Sequence, residues 1–443
     1  MYGSSEARTI SRRGFLGTLG ALGGLTLLAA CGQSSSPSAP SAGQPGASGA
    51  PAAVSTKDVT ISYWNGLTGA DGPIMDELIE RFTRETGIKV EQQRIPWADL
   101  YPKLQISAPA GEGPDLCLMH TSEIPHFAAD GILDELDDKT LGDRGFKGED
   151  YVQAPWEGGI FKGKRYAVPL DIPQFVMYLN NPLLKDAGLM GADGAPKVPT
   201  NRDELLSTAR AVTRGDVFGL VFGGTSGVGT AWAFHNLLWQ NETNVFQSDL
   251  KKSALSEPPA IQAAEFWGTI HAIDKVAPPP GTVALDAFVA GKLGIFIGGT
   301  WNIVGLKAQK ADFTVGPMPT IFKKPAVFTI PHQFTFPKPK TRNDAKREAA
   351  FQHIRWISDN VVDWTLRAGQ VSPIKKVQQD QRITSDPSLK VFLGQAPNWT
   401  VAQPSVNWTR AEQLTPPQLE AVYLGQKPAA DAMRELARQI EAL

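Results

Sequence analysis

The chain has 443 residues, of which 42% are hydrophobic and 20% are charged, and its formal net charge at pH 7 is −2. This is the composition of a globular protein that is long enough for two domains. A nearly neutral chain without a run of basic residues argues against nucleic acid as the main partner, because phosphate binding needs surplus lysine and arginine.

The N-terminus has the pattern of an export signal. Arg12 and Arg13 precede an uncharged apolar run that ends in Leu-Ala-Ala-Cys at residues 28–31. This order predicts a twin-arginine signal peptide over residues 1–30, with Cys31 lipidated as the first residue of the mature chain. Residues 31–56 are uncharged and rich in Ser, Pro, Ala and Gly, which predicts a disordered tether. We therefore expect an extracytoplasmic protein that a lipid anchors to the cell membrane.

The folded body begins at residue 57, and its first part alternates strands with helices. A strand, a helix and a second strand in close succession predict a βαβ unit and hence a parallel sheet. Two later strands flank a bend that is marked by proline. The predicted strands are residues 59–64, 88–92, 116–119, 166–171 and 175–179, and the predicted helices are residues 73–86, 99–108 and 123–130.

The rest of the chain is more helical but continues to alternate. This alternation over the whole body favours two α/β lobes over one large sheet. A stretch rich in proline and tryptophan separates the last two predicted helices. The predicted helices are residues 202–212, 230–240, 258–273, 285–290, 344–366 and 429–443, and the predicted strands are residues 219–222, 294–297 and 327–336.

No motif for catalysis or metal binding stands out. The six histidines lack metal-ligating spacings and Cys117 lies in an apolar run, so we expect no metal, cofactor or disulfide. The glycine-rich residues 223–229 lack the Gly-Lys-Ser/Thr ending of a phosphate-binding loop, and no Gly-x-Ser-x-Gly motif occurs. Carboxylate pairs for glycoside hydrolysis stay open, because 45 acidic residues offer many pairs. We expect the protein to capture a ligand without converting it.

The eleven tryptophans offer the best sign of a ligand. Trp64 ends a predicted strand, Trp232 follows the glycine-rich segment, and Trp301 follows Gly-Gly-Thr. Ligands of α/β sheets bind at loops outside the carboxyl ends of strands. Sugars have apolar C–H faces edged by hydroxyls, which flat rings and polar side chains can bind together. Each tryptophan could instead fill a lobe core, but the glycine-flanked turns favour a ligand role for Trp232 and Trp301.

Five stretches in order carry a family resemblance. They are TISYWNGLTGADGPIMDELIERFTRETGIKV from Thr60, GPDLCLMH from Gly113, GKRYAVPLDIPQFVMYLNNPLLKDAGL from Gly163, FVAGKLGIFIGGTW from Phe288 and GQVSP from Gly369. Together they resemble the extracellular solute-binding proteins of bacterial ABC importers, specifically the maltose-binding-protein-like sugar-binding group. The resemblance implies an α/β fold of two lobes, joined by a hinge of several crossings, with a ligand cleft between them.

The resemblance also implies lobe boundaries and a function. Lobe 1 is expected from residues 57–170 and 321–360, and lobe 2 from residues 171–320 and 361–443. The implied protein is a monomeric lipoprotein without enzymatic activity, which captures a mono- to oligosaccharide and delivers it to a membrane permease. A binding protein for glycerol 3-phosphate or a polyol, or a surface-anchored carbohydrate-active enzyme, is the alternative. A phosphate ligand should recruit lysine or arginine, and the implied contacts contain none unless Arg410 points inward.

The implied contacts come from four parts of the chain. Some follow the first and third strands, and others lie at the hinge crossings. Trp232 and Trp301 would stack on the sugar. The full set of implied ligand-binding residues is Trp64, Asn65, Gly66, Thr68, His120, Glu123, Asp171, Trp232, Trp301, His332 and Gln370.

Overall fold

The computed structural model describes residues 55–443, so the predicted signal peptide, Cys31 and nearly all of the predicted tether lie outside the described residues. Within residues 55–443, every helix is too short or too polar to cross a membrane. The strands are β1 (Thr60–Asn65), β2 (Lys89–Arg94), β3 (Leu116–His120), β4 (Ile160–Phe161), β5 (Lys164–Arg165), β6 (Ala167–Asp171), β7 (Phe175–Asn180), β8 (Phe218–Phe222), β9 (Leu293–Gly299), β10 (Phe313–Gly316), β11 (Val327–Phe328), β12 (His332–Thr335) and β13 (Trp399–Thr400).

Helices surround these strands. They are α1 (Gly72–Thr86), α2 (Trp97–Ala110), α3 (Ile124–Ala129), α4 (Asp138–Gly142), α5 (Gln153–Glu157), α6 (Asn181–Asp186), α7 (Arg202–Val212), α8 (Val228–Gln240), α9 (Pro258–Gly268), α10 (Ala284–Val289), α11 (Asn302–Ala308), α12 (Asp344–Asp359), α13 (Val361–Ala368), α14 (Lys375–Gln378), α15 (Gln381–Thr384), α16 (Pro387–Gly394), α17 (Trp408–Tyr423) and α18 (Ala429–Glu441). A π-helical segment, Thr269–Ile273, continues α9, and a 3₁₀ turn, Thr121–Glu123, follows β3.

The first large sheet has the strand order β2-β1-β3-β12-β6. β1 is parallel to β2 and β3, which confirms the predicted βαβ unit, while β12 is antiparallel to β3 and β6. Side chains alternate between the two faces of a strand. Ile61 and Tyr63 of β1 accordingly pack with α1, α12 and α13, whereas Trp64 packs with α2 and α3. Helices therefore cover both faces of this sheet.

The second large sheet has the order β10-β7-β9-β8. β7 runs antiparallel to β9 and β10, and β8 is parallel to β9. Met177 and Leu179 of β7 face a core that includes α7, α8, α9, α17 and α18. Val176 and Tyr178 face the opposite core, which includes α10, α11 and α16. The two sheets thus have separate cores.

The chain passes three times between the two sheets. The first passage follows β6, the second leads from β11 to β12, and the third follows α13. The passages are hydrogen-bonded to each other, because the Ile172 N–H donates to Val371 O over 2.8 Å and the Ile330 N–H donates to Pro173 O over 2.9 Å. Three connections therefore lie side by side between the sheets.

Three of the differences from the sequence prediction bear on the site. Residues 327–336 form two strands in different sheets, β11 and β12, separated by three residues that include Pro331, which has no N–H to donate. The predicted helix 344–366 breaks at Asn360, so it forms α12 and α13. The proline-rich stretch near the C-terminus contains α17, a helix of 16 residues that was not predicted.

Two segments pack apart from the lobe to which the resemblance assigns them. Ile321 and Phe328 pack in the core beside the second sheet. Val361 and Trp364 of α13 pack in the core beside the first sheet. The packing favours a return crossing near Pro331 and a last crossing near Gln370.

Candidate ligand-binding site

Three aromatic rings stack at the carboxyl edge of the first sheet. His120 ends β3, His332 begins β12, and Trp97 follows β2 by three residues. The Trp97 ring lies 4.1 Å from that of His120 and 5.2 Å from that of His332, centroid to centroid, and is nearly parallel to the latter. Gly66 lies against Trp97, because a Cβ at Gly66 would come within 2.0 Å of its ring. We call Trp97, His120 and His332 the first aromatic wall.

Two indoles that lie beside the second sheet face this wall. Trp232 lies in the first turns of α8, and Trp301 comes directly after the turn that ends β9. Their rings are 5.7 Å apart at 80°, and both side chains are partly buried. Trp232 also stacks on Phe328 and meets His120 edge to face at 5.9 Å. Trp232 and Trp301 form the second aromatic wall, and the Trp232–His120 contact joins the two walls.

Buried polar side chains lie at the crossings beside the walls. Asp171 is fully buried, and its Oδ1 lies 2.8 Å from His332 Nδ1 while its Oδ2 accepts a hydrogen bond of 2.8 Å from Trp364 Nε1. A carboxylate at that distance favours a proton on Nδ1, which turns Nε2 of His332 away from Asp171. At the last crossing, Gln370 Oε1 accepts a hydrogen bond of 2.7 Å from Thr300 Oγ1.

Several buried polar atoms in this region lack a hydrogen-bond partner among residues 55–443. Buried polar atoms nearly always have one, so each of these is a candidate to bind a polar ligand group. Burial raises the pKa of Asp71 above its usual range, while nearby His332 lowers it. The unpartnered atoms are Asn65 Nδ2, Asp71 Oδ1, Trp232 Nε1, Gln333 Oε1 and Gln370 Nε2.

Two buried glutamates meet where the turn after β3 contacts α17. Glu123 Oε1 accepts a hydrogen bond of 2.8 Å from Thr409 Oγ1, and Glu412 Oε1 accepts one of 2.8 Å from Trp408 Nε1. Burial raises the pKa of Glu123 to about 7 and that of Glu412 to about 8. The Trp408 hydrogen bond opposes the shift of Glu412, and the charge of Glu123 adds to it. Trp232 Nε1 also lowers this pKa slightly, but its geometry falls short of a hydrogen bond.

The structure does not bring every implied contact to the walls. Trp64 packs in the core with α2, and Lys103 Nζ lies 4.1 Å over its ring. Thr68 is exposed, and its N–H donates to Gly66 O. Arg410 is exposed and donates to Gln413 of the same helix, so it does not point inward. The structure gathers the following implied contacts around the walls: Asn65, Gly66, His120, Glu123, Asp171, Trp232, Trp301, His332 and Gln370.

Other residues of the site were not predicted. Trp97 follows the carboxyl end of a parallel strand, so the rule that ligands bind at such loops could have found it. Tyr101 has its hydroxyl 2.9 Å from His120 Nδ1 and accepts a bond from the His120 N–H. Asp71 lies in a glycine-rich turn and could have been found with Gly66. No sequence feature pointed to Glu412, because the helix that carries it was not predicted.

Comparisons with known proteins point to one family. The family model described as bacterial extracellular solute-binding protein matches residues 66–361. A putative binding protein of Brucella abortus is 23% identical over 398 residues, which cover 87% of this chain and 92% of the relative. The maltotriose-binding protein of Pyrococcus abyssi is 22% identical over 75% of this chain and 68% of its own length. The diacetylchitobiose-binding protein DasA of Streptomyces coelicolor is 24% identical over 51% of each chain.

Solved structures share the fold. An ABC substrate-binding protein from Listeria monocytogenes in complex with cycloalternan superposes with a TM-score of 0.76 at 19% identity, over 87% of this chain and 99% of that one. The maltose-bound protein MalE3 of T. maritima gives 0.75 at 19% identity, with the same coverage.

Proposed function

Because the chain belongs to the bacterial extracellular solute-binding proteins, we propose that it captures a sugar outside the cell and delivers it to the permease of an ABC importer. The predicted α/β fold with two lobes is confirmed by the superposed structures. The family and the fold are those of binding proteins, which act outside the cytoplasm.

The two facing aromatic walls carry the proposal. Trp97 and the two histidines on one sheet, with Trp232 and Trp301 on the other, offer flat apolar surfaces that suit the C–H faces of a sugar ring. The unpartnered polar atoms around them include both donors and acceptors, and sugar hydroxyls can satisfy either kind. The arrangement therefore suits a ligand that is apolar on its faces and polar at its edge.

The relatives support a sugar over a phosphate ester. Two of them are named for binding maltotriose and diacetylchitobiose, and two superposed structures hold cycloalternan and maltose. Among the residues that form the walls and their polar surroundings, none is a lysine or an arginine. Since an anionic phosphate is normally held by such side chains, this composition does not favour glycerol 3-phosphate.

The three side-by-side crossings suit a hinge. We propose lobe 1 from residues 57–170 and 331–370 and lobe 2 from residues 171–330 and 371–443, because core packing divides the chain there. A ligand that touches both walls favours the closed arrangement by its greater affinity for it. No chemical change of the sugar is needed for this cycle.

The sequence supports an anchored form. We propose that residues 1–30 are a twin-arginine signal peptide, that Cys31 carries the lipid, and that residues 31–56 tether a monomer to the outer face of the membrane. A tether of about 25 residues has a root-mean-square reach of roughly 25–30 Å, which holds the lobes near a permease.

A thermal-shift screen tests the proposal. Mono-, di- and oligosaccharides, polyols and glycerol phosphates are compared, and the ligand is recovered afterwards and analysed by mass. We expect at least one sugar to raise the Tm and to be recovered intact. Shortened sugar would indicate an enzyme, and a shift by glycerol phosphates alone would overturn the sugar proposal.

A further inference from the structure

The carboxyl groups of Glu123 and Glu412 are buried without a basic partner. The two residues are 4% and 5% exposed. Among residues 55–443, no lysine or arginine nitrogen lies within 4.0 Å of either carboxylate. His235 Nδ1 is 3.7 Å from Glu412 Oε1, but burial lowers the pKa of His235 to about 3, so its ring is neutral at pH 7. Nothing in this environment balances two ionised carboxylates.

The pair borders the aromatic walls. Glu123 comes three residues after His120, and its bond from Thr409 joins the turn after β3 to α17. Thr409 and Glu412 are three residues apart on that helix and so lie on one face. Trp232 approaches Glu412 from α8, and Tyr101 of α2 is held neutral because burial raises its pKa well above the usual value. Trp232 and Tyr101 therefore bring no positive charge to the pair.

A second observation points to a ligand at this place. His235 is 1% exposed, and its Nδ1 is directed at Glu412 but has no hydrogen-bond partner among the described residues. Neutral histidine with its proton on Nε2 presents Nδ1 as an acceptor. This unpartnered nitrogen thus adds an acceptor beside Glu412, in a region where neither carboxylate has a lysine or arginine nitrogen within 4.0 Å among residues 55–443.

We propose that the natural ligand is a saccharide that carries an ammonium group, as an amino sugar does, and that Glu123 and Glu412 bind this group. The proposal rests on the proposed function in sugar binding. An ammonium group has three N–H donors and one positive charge, so it can bond to carboxylate oxygens and supply the counter-charge that they lack. A hydroxyl group in its place supplies one donor and no charge, so it does not favour ionisation of the two carboxyl groups.

Binding of a cation should also release protons from the protein. Without ligand, burial favours the protonated forms of both glutamates, as their raised pKa values show. A bound ammonium favours the ionised forms and lowers both pKa values. The protein must therefore release protons when it binds the amine near neutral pH, whereas a neutral sugar requires no such release.

Titration calorimetry on the full chain tests the proposal. The ligands are pairs of mono- and disaccharides in which one hydroxyl is replaced by an amino group, such as glucose with 6-amino-6-deoxyglucose, and cellobiose with the disaccharide in which one of its two glucose units is glucosamine. We expect at least one amine to bind ten times more tightly than its hydroxyl partner at pH 7. Repeating the titration in buffers of different ionisation enthalpy should show protons released by the amine only.

Three variants locate the effect. Glu412→Gln and Glu123→Gln should each reduce the ratio of amine to hydroxyl affinity towards one and abolish the proton release. Glu265→Gln removes an exposed carboxylate from α9 and should leave the ratio unchanged. If neutral sugars bind and no amine binds more tightly, the inference is overturned and the proposed function stands. If neither class binds, both fail.

Discussion

Trp232 and Trp301 illustrate how single residues set the site. Both indoles are partly buried at the edge of the second sheet, and Trp232 reaches His120 of the first sheet. Their glycine-flanked turns were the sequence feature that favoured a ligand role. Trp64 has a similar local sequence but lies in the core, because alternation along β1 turns it towards α2.

Trp301→Ala should weaken sugar binding more than tenfold. The substitution removes one of two flat faces on the second sheet, and a tenfold loss corresponds to about 1.4 kcal/mol. The Tm of the ligand-free protein should change little, since the ring is partly exposed. Calorimetry and thermal unfolding measure both quantities, and Trp356→Ala, on the outer side of α12, is the control whose affinity stays unchanged. Equal affinity of Trp301→Ala and the parent would remove this indole from the site.

Gly66→Ala should disrupt the first aromatic wall. The new Cβ would lie 2.0 Å from a ring carbon of Trp97, so the indole must move off the histidines. Overpacking of this kind costs about 1–3 kcal/mol, and sugar affinity should fall at least tenfold. Gly142→Ala is the matched control, because a Cβ there meets nothing within 4 Å. Unfolding in urea and calorimetry measure the two effects, and a Gly66→Ala protein with parental affinity contradicts the role of Trp97.

The sequence prediction missed α17, and this omission affects the site more than that of any other helix. Pro416 and Pro417 read as helix breakers, yet both lie inside a helix of 16 residues. Its apolar face packs against α8, α9 and α18, so tertiary contacts outweigh the lost N–H groups. The local sequence does not reveal those contacts. The helix was therefore not predicted, and neither were its site residues Thr409 and Glu412.

Strands and amphipathic helices with clear periodicity could be predicted. Residues 202–212 form the predicted helix with the same bounds, and α1 and β3 differ from their predictions by one residue at an end. Failures arose where one apolar run serves two sheets, as in residues 327–336. Periodicity shows that such a run is buried, but it does not show which sheet it joins.

Glu412 should make the stability of the α17 contact depend on pH. The pKa of Glu412 is about 8 in the folded protein and about 4.3 in the unfolded chain. The stability that its protonated form contributes is therefore complete below pH 4 and is lost as pH rises towards 8. Urea unfolding of ligand-free protein from pH 5 to 8 should show the parent losing stability relative to Glu412→Gln, by up to about 1.4 kcal/mol per pH unit. Parallel curves for the two proteins would contradict a buried, protonated Glu412.

At the scale of the whole molecule, the alternation of strands and helices predicted two lobes, and the resemblance added the expectation of a cleft between them. The order of the five stretches carried that information. The lobe boundaries could not be read from the resemblance. The chain returns to the first sheet through the short strand β12, whose neighbours β3 and β6 are far away in sequence.

Cys31→Ser should release the protein from the membrane. The substitution removes the sulfur that would carry the lipid, and our proposal gives the protein no other anchor. Fractionation of cells should find the parent in membranes and the variant in the soluble extracytoplasmic fraction. Cys117→Ala, which alters the buried thiol instead, should stay in the membrane fraction. Retention of Cys31→Ser in membranes would argue for a different attachment.

The position of β12 has a consequence for how the chain is made. This strand lies between β3 and β6 and is hydrogen-bonded to both. A growing polypeptide therefore cannot complete its first sheet until residue 335 has left the ribosome, long after most of that sheet has been synthesised. Until then β3 and β6 present open edges, which invite pairing with other chains. Nascent or truncated copies that end before His332 should aggregate, even though they contain four of the five strands.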